Sequence, residues 1–122
     1  MLFRSEKPGG LTKAEREMIV VATSGANQCH YCVVAHGAIL RIRAKNPRVA
    51  DQVAINYRKA DIPSRQRVML DFAMKVALES HALDDADLEA LGRGSIERAS
   101  DLSDMTSSLF QARAALDRKS VV

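Results

Sequence analysis

A chain of 122 residues with 47% hydrophobic and 27% charged side chains suits one globular domain and excludes a disordered segment. Eighteen Lys and Arg are interleaved with fifteen Asp and Glu for a net charge of +3, with no run of like charge and no basic–aromatic alternation. This argues against nucleic acid as a partner. No apolar stretch reaches the ~20 residues of a membrane span. The opening "MLFRSEKPGG" has no signal-peptide core, so the expectation is a cytoplasmic protein with no membrane partner.

Residues 1–10 end in Pro8-Gly9-Gly10 and are expected to form an N-terminal loop. Thr12 with Glu15 three residues later reads as a capping box, so a helix should start near residue 12. Its segment "MIVVA", residues 18–22, is apolar all round, which predicts burial on most sides. Ser24-Gly25 suggests its end. The second helix is predicted from about Gln28 to Ala44, with Asn27 as a cap and Asn46-Pro47 closing it. In the third, Val49, Val53 and Tyr57 recur at spacings of four.

Ile62-Pro63-Ser64 opens a fourth helix with an apolar stripe of Val68, Met69, Phe72, Val76 and Ala77. Asp84 precedes a short helix stopped by Gly92 and Gly94. A last helix is predicted over 102–117, leaving 118–122 as a frayed tail. No alternating strand pattern appears, and Trp is absent. The expected fold is all-α, an antiparallel bundle over residues 11–117. So small a domain leaves apolar surface near water, which suits self-association.

Both cysteines and two of the three histidines fall in "NQCHYCVVAHG", residues 27–37. On a helix, Cys32 and His36 are an i, i+4 pair, and Cys29 lies three before Cys32 on the same face. The positive end of a helix dipole stabilises a thiolate there, and an imidazole can take the thiol proton. The second sulfur can then resolve a sulfenic acid or a mixed disulfide. Zinc needs four ligands, and Cys29, Cys32 and His36 supply three. The fourth would have to come from His30, His81 or a carboxylate. Haem attachment needs His straight after the second Cys, where Val33 stands. Two buried structural thiols are the plainer alternative. Glu15 and Glu17 both lie beside the buried run of the first helix and could relay a proton. Spacing does not choose between them, although the capping box already accounts for Glu15.

The stretch "LTKAEREMIVVATSGANQCHYCVVAHGAILR" resembles the core of the alkylhydroperoxidase D-like family, within the carboxymuconolactone decarboxylase superfamily. Its peroxidase-related branch is the closest match. Glu17, Cys29, Tyr31, Cys32 and His36 fall on the family pattern, and the similarity continues to about residue 92. The resemblance implies an all-α fold that assembles into homo-oligomers, trimers or hexamers. It also implies thiol-dependent reduction of hydroperoxides without metal, haem or other cofactor. Carried to this chain, Glu17 and His36 would form the proton relay, with Glu17 chosen over Glu15, and Tyr31 would line the site.

Cys32, one turn from His36, is the expected thiol for peroxide, and Cys29 would resolve it. The opposite assignment rests on Cys29 lying nearer the helix start. A dithiol, such as a dihydrolipoyl group, would restore the pair. Members of this branch usually carry further helices before the core. Two other functions compete: a non-catalytic oligomerisation or redox-sensing module, and the lactone or decarboxylase chemistry of the wider superfamily. In the module, Gly37 would allow close helix approach.

Overall fold

The structure is a computed structural model that describes residues 10–121, with side chains through residue 115. The expected loop falls largely on residues 1–9, outside the described residues. Among the described residues six α-helices make an antiparallel all-α bundle: α1 (Lys13–Ala26), α2 (His30–Ala44), α3 (Val49–Asn56), α4 (Ser64–Glu79), α5 (Asp85–Arg93) and α6 (Ala99–Val121). Short 3-10 turns follow α3 and α4, and no strand occurs among the described residues.

Helix α1 is the axis of the bundle, packed against α2, α3, α4 and α6. Its apolar run is buried as expected, with Ile19, Val20 and Val21 fully enclosed. The capping box at its start is complete. Thr12 Oγ1 accepts from the Glu15 amide at 3.0 Å, and Glu15 Oε1 accepts from the Thr12 amide at 3.0 Å. Helix α1 continues through Gly25 to Ala26. A Cβ at Gly25 would stand 2.6 Å from the Ala54 carbonyl oxygen of α3, so the glycine permits close approach rather than ending the helix. At Gly37 a Cβ would meet Ala50 at an ordinary 3.6 Å, so close approach does not require that glycine.

The α1–α2 connection departs from the predicted pattern. Gln28 has φ +58°, the left-handed region, so it belongs to the turn and not to α2. The amides of Asn27 and Cys29 donate to Thr23 and Ser24 carbonyls at 3.0 and 2.9 Å, which closes the turn. Helix α2 starts at His30 with Cys29 as its N-cap residue, in place of Asn27.

Val49, Val53 and Tyr57 are all buried, with Tyr57 in the 3-10 turn after α3. On α4 the enclosed positions are Met69, Leu70 and Ala73. Val68 and Phe72 pack partly against the core, and Ala77 is exposed. The stripe is thus rotated from the predicted one, because α4 divides its apolar surface among α1, α5 and α6. Asp84 and Asp87 form a second capping box, and α5 passes Gly92 to end at Gly94. Helix α6 starts three residues before its predicted start. There the Arg98 amide donates to Asp101 Oδ2 at 3.2 Å, an N-terminal closure whose first residue, Arg98, carries no cap signal. The backbone of the tail stays helical through Val121.

Candidate active site

Cys29 and Cys32 are joined by a disulfide, with Cα atoms 5.3 Å apart. The spacing makes this possible. One sulfur hangs from the residue that caps α2 and the other from its first turn, so both lie at one helix edge. Both residues are buried, at 6% and 1% exposure, and Ala115 of α6 packs with them. Cys29 is the more accessible of the two. Cys32 lies within the turn whose free amides make up the positive end of the helix dipole.

His36 follows one turn later on α2, and α1 runs back alongside it. Glu17 Oε1 lies 2.8 Å from His36 Nδ1. Burial leaves the Glu17 side chain 8% exposed and that of His36 13%. The other carboxylate oxygen, Oε2, accepts from Arg43 Nη1 at 3.2 Å. Glu17 therefore bridges an imidazole and a guanidinium, both from α2. An ionised carboxylate only accepts hydrogen bonds, so against one the Nδ1 nitrogen is the donor.

Glu15 turns elsewhere. Its carboxylate takes Arg65 Nε at 2.9 Å and Gln66 Nε2 at 3.3 Å, both from α4, besides the Thr12 amide. Burial pushes its carboxyl up. The bonds from Arg65 and the Thr12 amide, with the Arg65 charge and Gln66, outweigh that and hold it below the ordinary value. Arg65 is raised in turn, mainly through its bond to Glu15.

The structure thus encloses the two cysteines together, and it separately brings Glu17 to His36. Tyr31 is different, at 60% exposure on the outer side of α2. His30 is exposed as well. Among the described residues no three His, Cys, Asp or Glu side chains gather as metal ligands. Arg43 was not singled out from the sequence. Its signal was its position seven residues after His36, on the same helix face. Ser24 Oγ, two turns beyond Glu17 on α1, is buried without a hydrogen-bond partner.

Two of the cavities among the described residues lie elsewhere. One of about 610 Å³ is lined by Tyr57, Asp71, Phe72 and Lys75 among others. There burial, and then a 2.5 Å bond to Asp71, push the Tyr57 hydroxyl up to about 12. The other, of about 330 Å³, lies between α4 and α6 and reaches Thr23 and Asn27. Neither is lined by Cys29, Cys32 or His36.

An all-helical bundle around a buried Cys-X-X-Cys disulfide, with a Glu–His pair one turn on, is the class that fold and site define. The chain is similar to the carboxymuconolactone decarboxylase family, whose family model matches residues 1–60. It is 61% identical to a solved structure from Ralstonia eutropha JMP134, described as an alkylhydroperoxidase AhpD core and an uncharacterized peroxidase-related protein. That match covers 91% of this chain and 60% of the other, with a TM-score of 0.78. An uncharacterized peroxidase-related protein from Silicibacter sp. TM1040 is 39% identical over 90% of this chain and 58% of its own, with a TM-score of 0.81. The chain therefore spans about three-fifths of the length of either structure. No curated protein matches it. Among the described residues no helix is long and apolar enough to cross a membrane.

Proposed function

We propose that the chain is a thiol-dependent hydroperoxide reductase in which Cys29 and Cys32 alternate between dithiol and disulfide. The observation that carries this is the enclosed Cys29–Cys32 disulfide on the helix that also presents His36 to Glu17. In the dithiol state, His36 Nε2 takes the Cys32 thiol proton, and Glu17 stabilises the imidazolium through Nδ1–H. The Cys32 thiolate attacks one peroxide oxygen and the O–O bond breaks. Cys32 becomes a sulfenic acid, and the departing alkoxide takes the proton from His36. Cys29 then attacks the Cys32 sulfur, the S–S bond forms, and the departing hydroxide takes the Cys29 thiol proton and leaves as water.

An external dithiol, for which a dihydrolipoyl group is the proposed source, donates two electrons and two protons and reopens the pair. Cys29 is the more accessible residue of the pair, which suits it to receive that dithiol. Tyr31, beside Cys32 in the chain, is the proposed substrate contact at the mouth of the site. The reading needs no metal or cofactor and includes a cytoplasmic location and a homo-oligomer, a trimer or hexamer. The exposed apolar side chains Val34, Ile42 and Ile55 support self-association.

Steady-state consumption of cumene hydroperoxide with dihydrolipoamide as donor tests this. Wild type is expected to turn over, and Cys29→Ser and Cys32→Ser to lose ~10³-fold or more, the scale of losing a nucleophile. Turnover that survives both substitutions would sink the proposal. The family's name favours a second reading, decarboxylase or lactone chemistry. That chemistry does not require paired thiols, so lactone turnover by the doubly Ser-substituted chain would support it.

A further inference from the structure

We infer that Arg43 is a positioning residue for the Glu17–His36 pair. This rests on the peroxidase reading for its purpose, but its geometry stands apart from it. Glu17 is a buried carboxylate with two oxygens facing two groups of α2. Oε1 meets His36 Nδ1 at 2.8 Å and Oε2 meets Arg43 Nη1 at 3.2 Å. Fixing one oxygen fixes the plane of the carboxylate, and with it the direction from which the other meets the imidazole.

Enclosing a carboxylate is costly unless a charge and hydrogen bonds replace the water it loses. Arg43 supplies that charge without competing for the imidazole. With Glu17 held as an acceptor, the hydrogen stays on Nδ1 and the lone pair on Nε2, the nitrogen the proposed relay uses.

The surroundings of Glu17 single out Arg43. On α1, Arg16 reaches Asp104 of α6 at 3.6 Å. On α2, Arg41 pairs with Asp51 of α3 at 2.8 Å. From α4, Arg65 is taken by Glu15 at 2.9 Å. Glu17 itself pairs with His36 and Arg43. A plainer role for Arg43 is to favour the C-terminal end of α2 through the helix dipole, since both Arg41 and Arg43 lie in its last turn. That role would not depend on Glu17, which makes the two separable.

The test uses the full chain with its cysteines reduced. Nitrogen-15 NMR of the histidine rings reads the His36 tautomer, and bimane labelling across pH reads thiol reactivity. The variants are Arg43→Met, Arg43→Lys, and Arg43→Met in a Glu17→Gln background. Arg43 is 37% exposed in its side chain, so the bundle is expected to tolerate these changes, and thermal melting checks it. Arg43→Met is expected to mix the His36 tautomers and slow labelling near neutral pH by about tenfold, the scale of one hydrogen bond to a charged group. Arg43→Lys is expected to recover most of both. In the Glu17→Gln background, Arg43→Met is expected to change neither further.

An unchanged tautomer and labelling profile in Arg43→Met, or an equal loss in the Glu17→Gln background, would overturn the inference. Wild type that turns over no peroxide, yet whose His36 tautomer depends on Arg43, would sink the peroxidase reading and uphold the inference.

Discussion

Two carboxylates stand two residues apart on α1, and the helix turns them toward different neighbours. Glu15 closes the first turn on Thr12 and binds Arg65 and Gln66 of α4. Glu17 faces α2 and holds His36 and Arg43. Both are buried, at 3% and 6% exposure. Burial alone therefore distinguishes nothing here, and the partners do. Glu15 meets a guanidinium, an amide side chain and a backbone amide, none of which exchanges a proton near neutral pH. Glu17 meets an imidazole, the side chain best suited to do so. One carboxylate ties α1 to α4, and the other ties α1 to α2 and, in the proposed function, orients a base.

Exchanging their losses would break or sharpen this contrast. Glu17→Gln is expected to cost about a hundredfold in peroxide turnover, the scale of a misplaced acid–base group. Its unfolding free energy should fall by less than that of the Glu15 variant, because Glu17 takes two side-chain partners where Glu15 takes Arg65, Gln66 and the Thr12 amide. Rapid-mixing assays beside denaturant melts would measure both. Glu15→Gln should reverse the pattern. Removing the charge that Arg65 faces is expected to cost about 2 kcal/mol of stability, the scale of a hydrogen bond to a charged group, with turnover per folded molecule close to wild type. If Glu15→Gln abolished turnover while still folded, the division of labour would be wrong.

A smaller effect is the acid dependence of stability. The Glu15 carboxyl is held below its ordinary value of 4.5 in the folded chain. The unfolded chain therefore binds a proton there more readily. This contribution is fully present above about pH 4.5 and is lost as pH falls through the lowered folded value. Urea melts between neutral pH and pH 3 should show a steeper acid loss in wild type than in Glu15→Gln. Identical slopes would contradict the assignment.

The parts of this molecule that were legible in sequence are those whose cause is local. The Thr12–Glu15 box needs only a three-residue spacing, and the burial of residues 18–22 needs only their uniform apolarity. The placement of Cys32 and His36 four residues apart on one helix needs only helical periodicity. What stayed hidden depends on a distant partner. Glu15 and Glu17 were alike until α2 and α4 were in place. Only the resemblance to a peroxidase-related family favoured Glu17.

Nothing local marks Arg43, since its partner lies 26 residues away. Gln28 gave no turn signal, because the residues that advertise a positive φ are glycine and asparagine, not glutamine. Gly25 read as a helix stop because the Ala54 carbonyl that demands it comes from another helix.

The most direct test of the account is a single turnover of the reduced chain with one equivalent of hydroperoxide, followed by mass spectrometry in wild type, Cys32→Ser and Glu17→Gln. The account expects wild type to lose two hydrogens and to link the Cys29 and Cys32 peptides. Cys32→Ser should form no such link, and Glu17→Gln should form it more slowly. Wild-type thiols that stay reduced through the mixing time would contradict it and leave a bundle whose disulfide is only a structural tie.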